Sequence, residues 1–323
     1  MTRLVALLLA VVAALFAASL LVGPAKVSVA DSLSALFAGD RGPLTLVMRE
    51  IRLPRAILAA MIGASLGLAG AAMQGYLRNP LAEPGLIGVS GSAALGAVLA
   101  IHTGLSATFA LGLPLAALTG AFLGVVLVMS LAGPRGTSLT LILAGIAISA
   151  LAAAITSFVL NLSPFPFAAN EIVFWMMGSL TDRSMTHVWL ALPFMALGFG
   201  VLARLGRGLD ALTLGEDAAL AMGIRVDKLR FQLVIGTACV VGAGTAVAGA
   251  IGFVGLVIPH ILRPLVGAHP SRLLWASALG GAAMLLAADI AVRVVLPGRD
   301  LKLGVLTALV GAPLFLHLIL KLR

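Results

Sequence analysis

The sequence predicts an all-α polytopic membrane protein of ten transmembrane helices, and three observations carry that reading. Hydrophobic residues make up 61% of the 323 and charged residues 10%, against about 25% charged in an average soluble chain. Mean hydropathy is +1.15. The apolar residues are gathered into runs parted by polar breaks, and about 20 apolar residues in helical form cross a bilayer core with every backbone group bonded internally. The formal net charge of +9 comes from basic residues scattered through the breaks. It forms no basic stripe interleaved with aromatics, so the charge does not read as a nucleic-acid surface. One cysteine, Cys239, excludes an intramolecular disulfide and a thiolate cluster.

The runs justify the spans in order. Residues 4–22 follow Thr2 and Arg3 and are longer than the apolar core of a signal peptide, so they read as the first span. Residues 23–55 form a mixed loop rich in Arg and Lys, and the second span is 56–76. Gly63, Gly67, Ala71 and Gly75 recur every four residues there, sharing a face that lets another helix approach closely. The break Arg78-Asn79-Pro80-Leu81-Ala82-Glu83-Pro84-Gly85 ends that helix at its prolines. Spans three to five read as 85–101, 108–131 and 139–160, with Gly133-Pro134-Arg135-Gly136 turning the chain before the last. The loop 161–186 holds Pro164, Pro166 and a short apolar helix around 173–177, whose Trp175 suits a membrane interface. Span six is 187–204 and span seven 231–250. Span eight, 253–266, is short and interrupted at Pro259-His260, and spans nine and ten are 273–293 and 303–320. Ten spans put both termini on one side of the membrane. Residues 1–323 read as a single transmembrane domain.

The longest strongly polar stretch, residues 205–230, carries Arg207, Asp210, Glu216, Asp217, Arg225, Asp227, Lys228 and Arg230. It belongs in water and is too short to be a domain. It reads as two short helices. One covers 216–222, with Glu216 and Asp217 at its positive N-terminal end and Gly223 as its stop. The second begins near Val226. Either this is a docking surface for a soluble partner or it is a plain solvated loop. If the stretch and both termini are cytoplasmic, 12 Lys and Arg lie on that side and 9 on the other, the sense expected of the charge bias.

Chemistry-bearing motifs are sparse. The sequence has no phosphate-cradling G-x-x-x-x-G-K-[ST] loop. His102, His187, His260, His269 and His317 are scattered without metal-ligand spacing, so no metal site and no cofactor is expected. His260 reads as a packed or capping residue. Asp289 and Arg293 stand four apart with the acid first, the favourable helical pairing order, and both a structural and a functional role remain open for Arg293. Leu68-Ala69-Gly70-Ala71 and Val247-Ala248-Gly249-Ala250 form a faint internal echo on spans of opposite direction.

Several stretches resemble the FecCD-type permeases, the membrane subunits of ABC importers for ferric siderophores, haem and vitamin B12. They are Ile51-Arg52-Leu53-Pro54-Arg55, then Asn79 through Ser90 (NPLAEPGLIGVS), Trp175-Met176-Met177-Gly178-Ser179-Leu180 and Leu214-Gly215-Glu216. Gly252 through Arg263 (GFVGLVIPHILR), Ala288-Asp289-Ile290 and Gly311-Ala312-Pro313-Leu314-Phe315 complete the set in the family's order. The resemblance implies a type II ABC importer permease fold in the bacterial inner membrane, with both termini cytoplasmic. It implies a second permease subunit (a second copy or a related chain), two ABC ATPase subunits below and a periplasmic substrate-binding protein above, and no enzymatic activity of the chain itself. It further implies that 205–230 is the cytoplasmic coupling segment, with Leu214, Gly215, Glu216, Asp217, Ala218, Gly223 and Arg225 engaging the ATPase. Arg52, Arg55 and Arg293 map to the family's docking arginines for the binding protein. Asn79, Leu81, Ser138 and Leu139 map to its cytoplasmic gate. The chain departs from the family at Lys302, where proline is usual, and at His317, where an aromatic is common. The implied activity is ATP-driven import of a large iron chelate, a ferric siderophore first, with haem or cobalamin as alternatives. An ion-coupled secondary transporter is the alternative from another class, and it would have to use Asp289.

Overall fold

The computed structural model of the chain describes residues 1–23, 28–37, 42–133, 136–163, 166–295 and 301–321. Pro134, Arg135 and Pro164, named in the sequence reading, lie outside the described residues, as do Lys26, Arg41, Arg299 and Arg323, which enter its count of basic residues. Ten helices follow the predicted order: α1 Thr2–Leu21, α2 Leu53–Leu77, α3 Val89–His102, α4 Gly112–Ala132, α5 Ser138–Asn161, α6 Met185–Ala203, α7 Val226–Ala248, α8 Val254–Leu262, α9 Pro270–Val295 and α10 Leu303–Lys321. The described residues contain no strand. Seven of the ten are long and apolar enough to cross a membrane: α1, α2 with its extension back to Pro43, α4, α5, α6, α7 and α9. The 14 residues of α3 and the 9 of α8 fall below that length, as does the apolar part of α10, Leu303–His317.

Helix α2 is the centre of the bundle. It packs most extensively on α9 and also touches α8, α7, α6 and α1. Small side chains make this possible. A Cβ at Gly63 or Gly67 would overlap the backbone carbonyl of Gly281 or Ser277 on α9, and one at Gly281 would overlap the carbonyl of Gly63. In lipid, where apolar burial does not drive helices together, such backbone-to-backbone van der Waals contact carries the association. The predicted four-residue stripe is therefore half of the real seam. Gly75 faces the Leu209 side chain instead, and the tight contact continues through Gly70, which meets Gly255 of α8. The same device joins α6 to α7 at Gly198 and Gly236, and α3 to α4 at Gly96 and Gly120. The outward faces of α4, α5 and α6 carry large exposed apolar side chains such as Phe122, Leu143, Phe158 and Leu197, as a lipid-facing surface requires.

Several expectations change. The loop 23–55 contains the helix Val29–Phe37 and then a helical lead-in, Pro43–Leu46 and the π-turn Val47–Arg52, which runs directly into α2. The expected start of span three is a separate 3-10 turn, Pro84–Ile87. Helix α8 is not interrupted at Pro259-His260 but passes through to Leu262. The segment expected to open a second short helix at Val226 is the first turn of α7 itself, and a short helix the sequence reading missed, Gly206–Leu212, opens the stretch. Trp175 is buried within the chain, and its carbonyl lies against Gly249. The two echoing tetrapeptides are not equivalent. One is in the middle of α2, and the other runs off the end of α7, where Gly249 takes a φ of +73°.

Candidate functional site

At one end of the bundle the polar stretch folds into two short helices, Gly206–Leu212 and Glu216–Ala221, before α7 begins. Burial fixes it on the bundle. Leu209, Leu212 and Ala219 are buried, and a Cβ at Gly206 or Gly208 would press on Ser271 or Leu229. The Asp210 carboxylate accepts a hydrogen bond of 2.9 Å from the Ser271 amide in the first turn of α9, where helices leave N–H groups without internal partners. Gly215, with φ +105°, opens the second helix, and Gly223, with φ +81°, closes it, as the Ile224 amide returns to the Ala219 carbonyl at 2.9 Å. Glu216, Asp217 and Arg225 are exposed. Beside them Leu214, Leu220 and Met222 are 69%, 56% and 62% exposed. The outcome is a rigidly seated knob whose outer face mixes apolar and charged side chains.

The polar break after α2 lies at the same end. Arg78 turns left-handed (φ 50°), and the Asn79 side chain accepts from the Leu81 amide at 2.9 Å. Tyr76, in the last turn of α2, is buried and lies beside Ser138 at the start of α5, so the turn after α2 and the start of α5 approach each other there. Leu139 is exposed. Arg230 in the second turn of α7 donates to the carbonyls of Gly136 and, at 3.3 Å, Gly133. That clamps the turn before α5 onto the helix that leaves the knob. Glu83 accepts from the Phe253 amide at 2.8 Å and caps α8. Gln74 explains why α8 survives Pro259. The proline has no N–H for the Gly255 carbonyl, and Gln74 Nε2 donates instead to the carbonyls of Gly255 and Leu256, at 3.4 and 3.2 Å. Its Oε1 accepts from Arg263 at 2.8 Å.

At the opposite end, Arg52, Arg55 and Arg293 are turned inward. Asp289 is 0% exposed and lies 2.8 Å from Arg55 Nε and 2.9 Å from Arg293 Nη2. Arg293 also donates to the carbonyls of Ser19 and Val22 and to the Ser19 hydroxyl at 2.7–2.8 Å. Arg52 donates to the carbonyls of Leu20 and Leu21 at 2.9 and 3.0 Å. These guanidiniums thus bond the last carbonyls of α1, which no helical N–H reaches. The geometry gives all three arginines interior partners, so docking through them would first require those bonds to open. Outside the spans, burial pushes the Arg183 guanidinium below its ordinary value, against the opposing charge of Asp182.

Lys302, the departure from the family pattern, has its ammonium 5.2 Å from the centre of the Phe174 ring, a cation–π contact that joins the approach to α10 to the short helix Pro166–Met176. Among the described residues no three His, Cys, Asp or Glu side chains converge as metal ligands would. Glu83, Asp210 and Arg230 entered the sequence reading only as members of polar stretches, without these partners, and Gln74 did not enter it. An amide within an apolar helix is the signal that could have found Gln74.

A family model described as the FecCD transport family matches residues 9–321. The cobalamin import permease BtuC of Halobacterium salinarum is 39% identical over 84% of this chain and 73% of its own length. The Fe(3+) dicitrate transport permease FecD of Escherichia coli is 36% identical over 86% of each chain. A solved ABC transporter assigned to the metal-chelate type, in an inward-facing conformation, superposes with a TM-score of 0.88 at 32% identity, covering 99% of this chain and 100% of that one.

Proposed function

The chain belongs to the FecCD transport family, and from that premise we propose that it is the membrane permease subunit of an ATP-driven importer whose cargo is a large iron chelate, a ferric siderophore first. It spans the bacterial inner membrane ten times as one domain, with both termini cytoplasmic. It pairs with a second permease subunit, and it works with two ATPase subunits and a periplasmic binding protein. The observation that carries this reading is the knob Gly206–Ala221. Its exposed face offers Leu214, Glu216, Asp217, Leu220 and Met222 to a soluble partner, while Asp210 ties its base to α9. A partner that closes on hydrolysing ATP moves the spans only through an element rigid enough to transmit the displacement. Leu214 to Ala218, Gly223 and Arg225 form this coupling element.

The gate assignment rests on the cluster at the same end. Asn79 and Leu81 lie in the turn that follows Tyr76, Ser138 and Leu139 open α5 with Ser138 beside Tyr76, and Arg230 ties the turn before α5 to the first turns of α7. The coupling element and the gate are thereby mechanically continuous. At the other end, the interior partners of Arg52, Arg55 and Arg293 support a role in fixing the ends of α1, α2 and α9 beneath the binding protein. A direct bond to that protein would come at their expense. Haem and cobalamin are alternative cargoes, and the cobalamin relative supports the second. The ion-coupled alternative loses its one candidate, since both oxygens of Asp289 face guanidiniums at 2.8–2.9 Å.

Co-purification tests the reading. The chain retains a separate ATPase through affinity purification, and Glu216→Lys loses it while eluting as a folded species. Retention of the ATPase and normal transport by that variant would sink the coupling assignment.

A further inference from the structure

Four cationic side chains surround one cavity on the flank of the knob. The cavity, about 350 Å³, is lined by Arg204, Arg207, Arg225, Lys228 and Gln232 among others. Arg204 caps the end of α6, Arg207 lies in Gly206–Leu212, Arg225 is the N-cap of α7 and Lys228 belongs to its first turn. Among the described residues none of the four makes a side-chain hydrogen bond or an ion pair. The nearest acids in sequence are engaged elsewhere, Asp210 on the Ser271 amide and Asp227 at 3.8 Å from Arg230. Like charges collected without a counter-charge repel one another, and an anion placed among them removes that repulsion. Guanidiniums fit the oxygens of a phosphate in paired hydrogen bonds.

Position selects the kind of anion. The pocket sits between the end of apolar α6 and the charged first turns of α7, just ahead of its apolar run, where a chain leaving an apolar span meets headgroups. On the spans leaving it, Leu197 of α6 and Phe231 of α7 are 59% and 54% exposed, an apolar flank for acyl chains. A second cavity shares Arg207 and Ile224 with this one and is otherwise lined by Asp210, Ala211, Leu214 and Met222 of the knob. We propose that the Arg204–Arg207–Arg225–Lys228 pocket binds the phosphate headgroup of an anionic phospholipid, anchoring the base of the knob to the bilayer surface. This rests on the chain being membrane-embedded; Arg225 also belongs to the proposed coupling element, so the variants that test it are placed at Arg204 and Lys228, outside that element.

The test uses the full chain, delipidated in a neutral detergent, with added phosphatidylglycerol, phosphatidylcholine or inorganic phosphate, read by native mass spectrometry and by thermal midpoint. Wild type retains phosphatidylglycerol over phosphatidylcholine, and its midpoint rises with the first alone. Arg204→Gln with Lys228→Gln weakens phosphatidylglycerol binding by about 30-fold, as expected for removing two interfacial cations. Without lipid its midpoint is no lower than that of wild type, which separates lost binding from lost folding. The charge-preserving pair Arg204→Lys and Lys228→Arg keeps the selectivity. Equal retention of the two lipids by wild type would overturn the proposal. So would displacement of phosphatidylglycerol by millimolar inorganic phosphate, which would make this a free-anion site. Undiminished lipid selectivity in the double Gln variant, or no lipid selectivity in wild type with ATPase capture lost in that variant, would likewise overturn it, the last in favour of a protein partner.

Discussion

Asp289 is a carboxylate with no access to water, held between two guanidiniums from different helices. A buried ion network contributes little net stability against an apolar replacement, yet removing one member leaves the others uncompensated. Asp289→Ala is therefore expected to destabilise the chain by about 3–5 kcal/mol, read as a lowered thermal midpoint in detergent. Adding Arg55→Met and Arg293→Met to it should restore part of the loss. An unchanged midpoint in the single variant would contradict the network. Gln74→Leu removes the donor that serves the Gly255 carbonyl and the acceptor of Arg263. The expected cost is about 1–3 kcal/mol, that of leaving a buried polar group unpaired. Sequence made the Asp289–Arg293 pair legible because both residues lie on one helix. Arg55 stands 234 residues from Asp289, and the Gly255 carbonyl 181 from Gln74, so no local pattern announced either partner.

Among the elements, the α2–α9 seam and the knob carry the argument. A side chain at Gly67 meets the Ser277 backbone carbonyl, which cannot turn aside as a flexible side chain does. Gly67→Leu should exceed the roughly 1–3 kcal/mol of ordinary overpacking and abolish a monodisperse species on gel filtration. A well-folded Gly67→Leu protein would show that α2 and α9 do not need this approach. Arg230→Met should leave the fold intact but weaken transport more than ATPase association, because it releases the turn at Gly133 and Gly136 without touching the exposed knob. Equal loss of both would place Arg230 in docking rather than in transmission. Helix positions were readable from apolar runs to within a few residues. The passage of α8 through Pro259 was not, because it depends on a glutamine from another helix. Nor was the true start of α7, because its charged first turns have the composition of a loop.

For the whole molecule, the fold class was legible in composition and the family in motifs spread along the chain. The roles at the two ends were not equally so. The 205–230 stretch advertises itself by its charge, and the structure gives it a surface fit for a partner. The arginine cluster at the other end has the same charge but an interior destination, which composition does not distinguish. Membership of the FecCD transport family leaves the cargo open, since one relative is named for cobalamin and another for Fe(3+) dicitrate. The measurement that tests the account most directly is ATP hydrolysis by this chain reconstituted with its ATPase and binding protein, with ferric siderophores, haem and cobalamin added singly. The account predicts stimulation by a ferric siderophore and its loss in Glu216→Lys. A chain that never associates with an ATPase, and instead moves cargo on an ion gradient alone, would contradict it.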